Sequence, residues 1–136
     1  MYNASRRNGH PQLIWYLEDS PRLGQAAGEF FDACARGENT VFVPTICLVE
    51  ILFLCEKGRI RPEWYEVLDR ELQAGETELI VADLTYPVVK AISRVPRQIV
   101  PDMPDRIIAA TALSLGVPLI SRDHAFAKVP GLEIIW

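Results

Sequence analysis

Residues 101–123 constrain the fold more than any other stretch of this chain. They read Pro101-Asp102-Met103-Pro104-Asp105-Arg106, the run Ile107-Ile108-Ala109-Ala110-Thr111-Ala112-Leu113, then Gly116, Val117-Pro118-Leu119-Ile120 and Ser121-Arg122-Asp123. Pro104 suits the first position of a helix, where a missing N–H costs nothing, and Asp105 falls in the positive first turn. Gly116 supplies a tight turn out of the helix. Val117 to Ile120 is too short and too apolar for anything but an interior strand. A helix leading into a buried strand is the repeating unit of an open α/β sheet, which binds ligands beyond the carboxyl ends of its strands. Asp105 and Asp123 are thereby directed to one rim, the arrangement a hard-cation site requires.

The rest of the chain repeats this alternation. The pattern predicts a helix over 21–36, with Leu23, Ala26, Ala27, Phe30, Phe31 and Cys34 on one face, and a strand over 41–43 stopped by Pro44. Thr45 is expected to cap a helix over 45–57 that ends at Gly58. An amphipathic helix over 62–73, a strand over 78–81, a short helix over 86–95 and a strand over 132–136 complete the series. Short apolar strands alternating with helices predict an α/β fold, a parallel sheet flanked by helices on both faces. At 136 residues the chain suffices for one domain over 1–136 and not for two. Residues 1–12 depart from the pattern. Such a sheet usually opens with an apolar strand, and this segment has no apolar run, so the N-terminal strand is expected to be atypical or missing.

Composition narrows the function classes. A net charge of −4 gives no whole-protein attraction for nucleic acid, so RNA binding would rest on local arginines and bridging cations. Cys34, Cys47 and Cys55 are odd in number and show no C-x-x-C spacing, which predicts buried, reduced thiols and a reducing compartment. No apolar run reaches membrane-span length, and the first residues lack the apolar core of a secretory signal. A cytoplasmic location is the expectation.

Asp102-Met103-Pro104-Asp105-Arg106, the Ala-rich helix, the short apolar strand and Ser121-Arg122-Asp123-His124-Ala125-Phe126 together resemble the PIN-domain family, in particular its VapC-like ribonuclease toxins. The family pattern runs D-x-x-D-R, helix, strand, [ST]-R-D-x-x-[FL]. Leu13-Ile14-Trp15-Tyr16-Leu17 matches the family's first helix, so the resemblance extends over about residues 13–136. It implies Mg²⁺- or Mn²⁺-dependent RNA endonucleolysis with Glu50, Asp105 and Asp123 as catalytic metal ligands, and Glu50 in the second acidic position. It also implies a homodimer inhibited by a small cognate antitoxin. Gly9 stands where the family carries its first acid, so activity is expected to be weak or absent. The competing expectation is a PIN-like protein that has lost catalysis and serves in binding or dimerisation. A flavodoxin-like module would need a phosphate-binding loop after its first strand, which this sequence lacks.

The residues themselves leave alternatives open. Glu50 lies in Ile46-Cys47-Leu48-Val49-Glu50-Ile51-Leu52-Phe53-Leu54-Cys55, apolar on every face, which predicts a helix buried all round. A carboxylate there needs a partner, either a cation or an ion pair with Arg106. Asp105 would also serve as a helix first-turn acid, worth roughly 0.3–1 kcal/mol. Asp102 suits a near-cap residue or an accessory acid, and Asp123 suits a cap for a helical turn at His124. Arg106 suits a bidentate phosphate contact or an ion pair with Glu50 or Asp102. Ser121 suits a phosphate or water contact, or a turn. An all-carboxylate set with only two histidines favours Mg²⁺ or Mn²⁺ over zinc.

Overall fold

The computed structural model describes residues 12–76 and 78–136. The expected departure at the first strand, Gly9 included, lies outside the described residues. In chain order the elements are α1 (Gln12–Leu17), α2 (Gln25–Ala35), β1 (Val41–Pro44), α3 (Thr45–Glu56), α4 (Pro62–Ala74) and β2 (Leu79–Ala82). They continue as α5 (Tyr86–Ala91) with a 3-10 turn (Ile92–Arg94), α6 (Met103–Leu115), β3 (Leu119–Ile120), a 3-10 turn (His124–Lys128) and β4 (Ile134–Ile135). The α/β alternation holds, with every observed strand pairing parallel. Among the described residues the strands form two separate pairs: β1 beside β2, with Val41 opposite Leu79, and β3 beside β4, with Leu119 opposite Ile134.

The strands are shorter than apolar patterning suggests, and proline is one reason. Pro118 has no N–H to give a ladder, so β3 starts at Leu119, whose N–H donates to Glu133 O at 2.8 Å. Leu119 and Ile120 are wholly buried. The most enclosed helix is α6. Ile107 through Leu113 are all buried, and the alanines let neighbouring helices approach closely. Its first turn is capped by Asp102 and its end turns at Gly116, whose φ of 67° is left-handed and suits glycine.

Three local expectations are corrected. Thr45 is not a cap but the first residue of α3, and Pro44 precedes it without a side-chain cap bond. The second helix begins at Gln25, not residue 21, with Gly24 as its N-cap. The third concerns α3, which is not buried all round. Only Cys47 and Ile51 are buried, while Val49, Leu52 and Phe53 are exposed, Phe53 to 57%. Positions 49, 52 and 53 share one helical face by their three- and four-residue spacing. An all-apolar helix therefore has a core side and an apolar outer stripe. Cys34 and Cys47 are buried and Cys55 half-buried, none of the three in a disulfide, and burial pushes the Cys34 and Cys55 thiols up. Among the described residues no helix is long and apolar enough to cross a membrane.

The last residue closes the helical layer. Trp136 meets Trp15 edge to face, with ring centroids 6.2 Å apart. It also lies directly against Gly24, where an added Cβ would stand 2.7 Å from both the Trp136 backbone and its indole. Tyr16 ties α1 to α2 from the other side, stacking on Phe31 and donating its hydroxyl to Asp32 Oδ1 at 3.1 Å. Burial and that carboxylate hold the Tyr16 hydroxyl above its ordinary pKa. Gly24→Ala is expected to destabilise by about 1–3 kcal/mol through overpacking. Gly28→Ala, inside α2 and 3.6 Å from the nearest Leu23 carbon, is expected to stabilise by about 0.4–1 kcal/mol. Urea unfolding of both variants checks the pair; equal effects would contradict the packing argument.

Candidate active site

Helix connectivity carries the acids to the ends of strands. β1 runs straight into α3, so Glu50 sits five residues past the helix start, roughly 7 Å along the axis. α6 ends just before β3 and therefore begins at the far end of that strand, where Asp102 and Asp105 lie. α3 packs against α6. Glu50 and Asp105 are each half-buried, with Glu50 Oε1 and Asp105 Oδ1 shielded from solvent.

Asp102 works as the N-cap of α6. Its Oδ2 accepts from the Asp105 N–H at 3.1 Å, and its carbonyl accepts from the Arg106 N–H at 2.9 Å. Asp123 does the same for the following 3-10 turn, where its Oδ1 accepts from the Ala125 N–H at 2.9 Å. Ser121 is buried, and its Oγ accepts from the Asp123 N–H at 3.0 Å. Ser121 thus shapes the turn that carries Asp123. His124 is exposed at the start of that turn.

Among the described residues Arg106 forms no ion pair with Glu50 or Asp102 and binds main-chain carbonyls instead. Its Nη2 donates to Val95 O at 3.0 Å and to Ile92 O at 3.2 Å, and Nε reaches Val95 O at 3.3 Å. A helical segment leaves its last carbonyls without internal donors, and a cation is favoured at that end. The guanidinium fills that need for the 3-10 turn and clamps it to the first turn of α6. No pattern in the sequence pointed to it, because the acceptors are main-chain atoms.

The donors gathered here are oxygens, which suits a hard divalent cation in kind. In number they fall short. Among the described residues no three Asp, Glu, His or Cys side chains lie close enough to hold one ion. Glu50 and Asp105 stand on the packed helices α3 and α6, and Asp123 on the turn that follows β3. Sequence reading also passed over Gln12, the first residue of α1, whose side chain is fully buried. The signal was available: one amide opening the otherwise apolar helix Gln-Leu-Ile-Trp-Tyr-Leu. Arg106→Ala is expected to cost about 1–3 kcal/mol by stripping donors from the two carbonyls. Arg106→Lys is expected to recover only part of that, because an ammonium lacks the planar fork. Thermal unfolding of both variants provides the check.

The protein-family model for the PIN domain matches residues 13–132. No curated protein matches the chain. Among solved structures, the crystal structure of VapBC2 from Rickettsia felis bound to a DNA fragment from its promoter is similar, with 16% identity, 90% of each chain covered and a TM-score of 0.66. At that identity the likeness is one of fold. With the family match spanning most of the chain, from α1 to the turn before β4, the protein belongs to the PIN-domain family.

Proposed function

We propose that the protein is a VapC-type toxin, a PIN endoribonuclease that acts with Mg²⁺ or Mn²⁺ in the cytoplasm and whose own activity is weak. The observation that carries this reading is the delivery of Glu50 and Asp105 from α3 and α6, each with a shielded carboxylate oxygen, on a PIN scaffold. A bound cation would lower the pKa of an attacking water and offset charge on the scissile phosphate. Glu50 and Asp105 are the residues to hold it. Asp123 and Ser121 build the adjoining turn, and Asp102 sets the start of α6 so that Asp105 keeps its direction. Gly9, standing where the family carries its first acid, is the reason to expect slow turnover.

The apolar outer face supports protein partners. Val49, Leu52 and Phe53 on α3 are exposed, as are Ile80 and Val81 on β2, Leu84, and Tyr86 and Val89 on α5. β1 and β2 are neighbours and lead into α3 and α5, which places the starts of these helices side by side. Large side chains of this kind supply much of the roughly 800 Å² per partner that a stable interface buries. A homodimer through this face, with a cognate antitoxin as second partner, fits it. The Rickettsia felis neighbour is itself a VapBC2 assembly. The second reading, a PIN-like binding protein without catalysis, draws on the same face and on the lack, among the described residues, of three acidic, His or Cys side chains placed to hold one ion.

RNA cleavage separates the two. The expected result is slow cleavage in Mn²⁺, abolished by chelator and lowered at least about tenfold by Asp105→Asn. Cleavage absent in both chains at every metal concentration selects the non-catalytic reading. Phe53→Asp is expected to shift the molar mass in light scattering from dimer to monomer without loss of helical content.

A further inference from the structure

Among the described residues, β1 is the one strand beside β2, which leaves the far side of β2 as a sheet edge. The strand is apolar on both faces: Ile80 is 46% exposed and Val81 37%, although neighbours in a strand point to opposite sides. The ladder decides which main-chain groups remain open. Val41, opposite Leu79, donates its N–H to Glu78 O at 2.8 Å. In a parallel ladder this register turns the main-chain groups of Ile80 toward β1 and those of Leu79 and Val81 away from it. Among the described residues, none of these outward N–H and C=O groups has a hydrogen-bond partner. Open edges of this kind template another strand, and proteins blunt them with lysine, proline or a bulge. Leu79-Ile80-Val81-Ala82 has none of these.

The edge is its own complement. Leu79 and Val81 flank Ile80 symmetrically, so a two-fold axis at Ile80 sets Leu79 of one copy opposite Val81 of the other. In an antiparallel ladder these become hydrogen-bonded pairs, with Ile80 facing Ile80 in the closer, non-bonded pair. The cross-strand contacts are then Ile on Ile and Leu on Val, apolar pairs that stabilise such a ladder. Charge favours the same register. It places Glu78 opposite Ala82, whereas a slip of one residue would set Glu78 against Asp83. The slip would also bring Ile80, whose main chain is already bonded to β1, opposite the open groups of Val81. We propose that two copies of this chain join through β2, edge to edge and antiparallel about Ile80, in one sheet that runs from β1 of one copy to β1 of the other. The proposal rests on the homodimer reading above and names its contact.

Light scattering of the full chain and of Val81→Pro, Ile80→Lys and Phe53→Asp gives the first test. The Val81 N–H points away from β1, so a proline there removes a dimer bond and leaves the β1 ladder intact. Ile80→Lys sets like charges face to face on the axis, and it keeps the test open should the proline prevent folding. Each is expected to weaken self-association at least about tenfold, taking the molar mass from dimer to monomer with helical content unchanged. Oxidative cross-linking reads the register. Ile80→Cys brings Cα atoms to about 4.5 Å, within disulfide reach, whereas those of Val81→Cys lie about 7–8 Å apart on the diagonal. A covalent dimer is expected from Ile80→Cys, and from Val81→Cys no more than from the unmodified chain with its half-buried Cys55. Dimer mass kept by Val81→Pro and Ile80→Lys but lost in Phe53→Asp would overturn the edge contact and leave the homodimer on its helical face. Equal cross-linking of the two cysteine variants overturns the register and the proposal with it. A monomeric unmodified chain removes homodimer and self-pairing together, and leaves the edge to an extended segment of another protein.

Discussion

The enclosure of α6 is the constraint on which the rest of the structure depends. Ile108, Ala109, Ala110 and Ala112 have no solvent exposure at all, so this helix must be covered on nearly every side. α3 and α5 supply part of the cover, and the small alanine side chains let them come close. A helix in that position cannot leave its ends unsatisfied. Asp102 closes one end, Gly116 closes the other, and Arg106 joins the first turn to the segment before it. The direction in which Asp105 leaves the core follows from those three devices.

Much of this was legible in the residues. The segment from Pro101 to Asp123 announced a capped helix, a glycine turn and an interior strand, and each is present. The motif order also pointed to the PIN family, to which the chain belongs. What stayed hidden has physical causes. The apolar helix carrying Glu50 read as buried all round because hydrophobicity does not distinguish a core face from an uncovered one. The clamp that Arg106 makes was not legible because its carbonyl acceptors, Ile92 and Val95, leave no mark in side-chain identity. Gln12 was overlooked because a lone amide beside a polar segment looks like an ordinary surface residue until its burial is known.

The acids of the site divide between two kinds of work. Asp102 and Asp123 accept backbone N–H groups and hold local turns, so their side chains are already engaged in shaping the chain. Glu50 and Asp105 sit deeper on α3 and α6, each with one oxygen shielded from water. A carboxylate count taken from sequence treats all four as equivalent. The backbone does not: Asp102 and Asp123 each hold a turn through one oxygen, while Glu50 and Asp105 lie deeper.

The packing of Trp136 against Trp15 and Gly24 has a kinetic consequence. These contacts join positions more than a hundred residues apart in the chain. The pairing of β1 with β2 also waits on the intervening α3 and α4. Contacts of such long sequence separation slow folding, because loop closure must precede any gain from packing. During synthesis the α1–α2 layer stays open until residue 136 has emerged, and its buried aromatic surface is exposed to other chains in the interval.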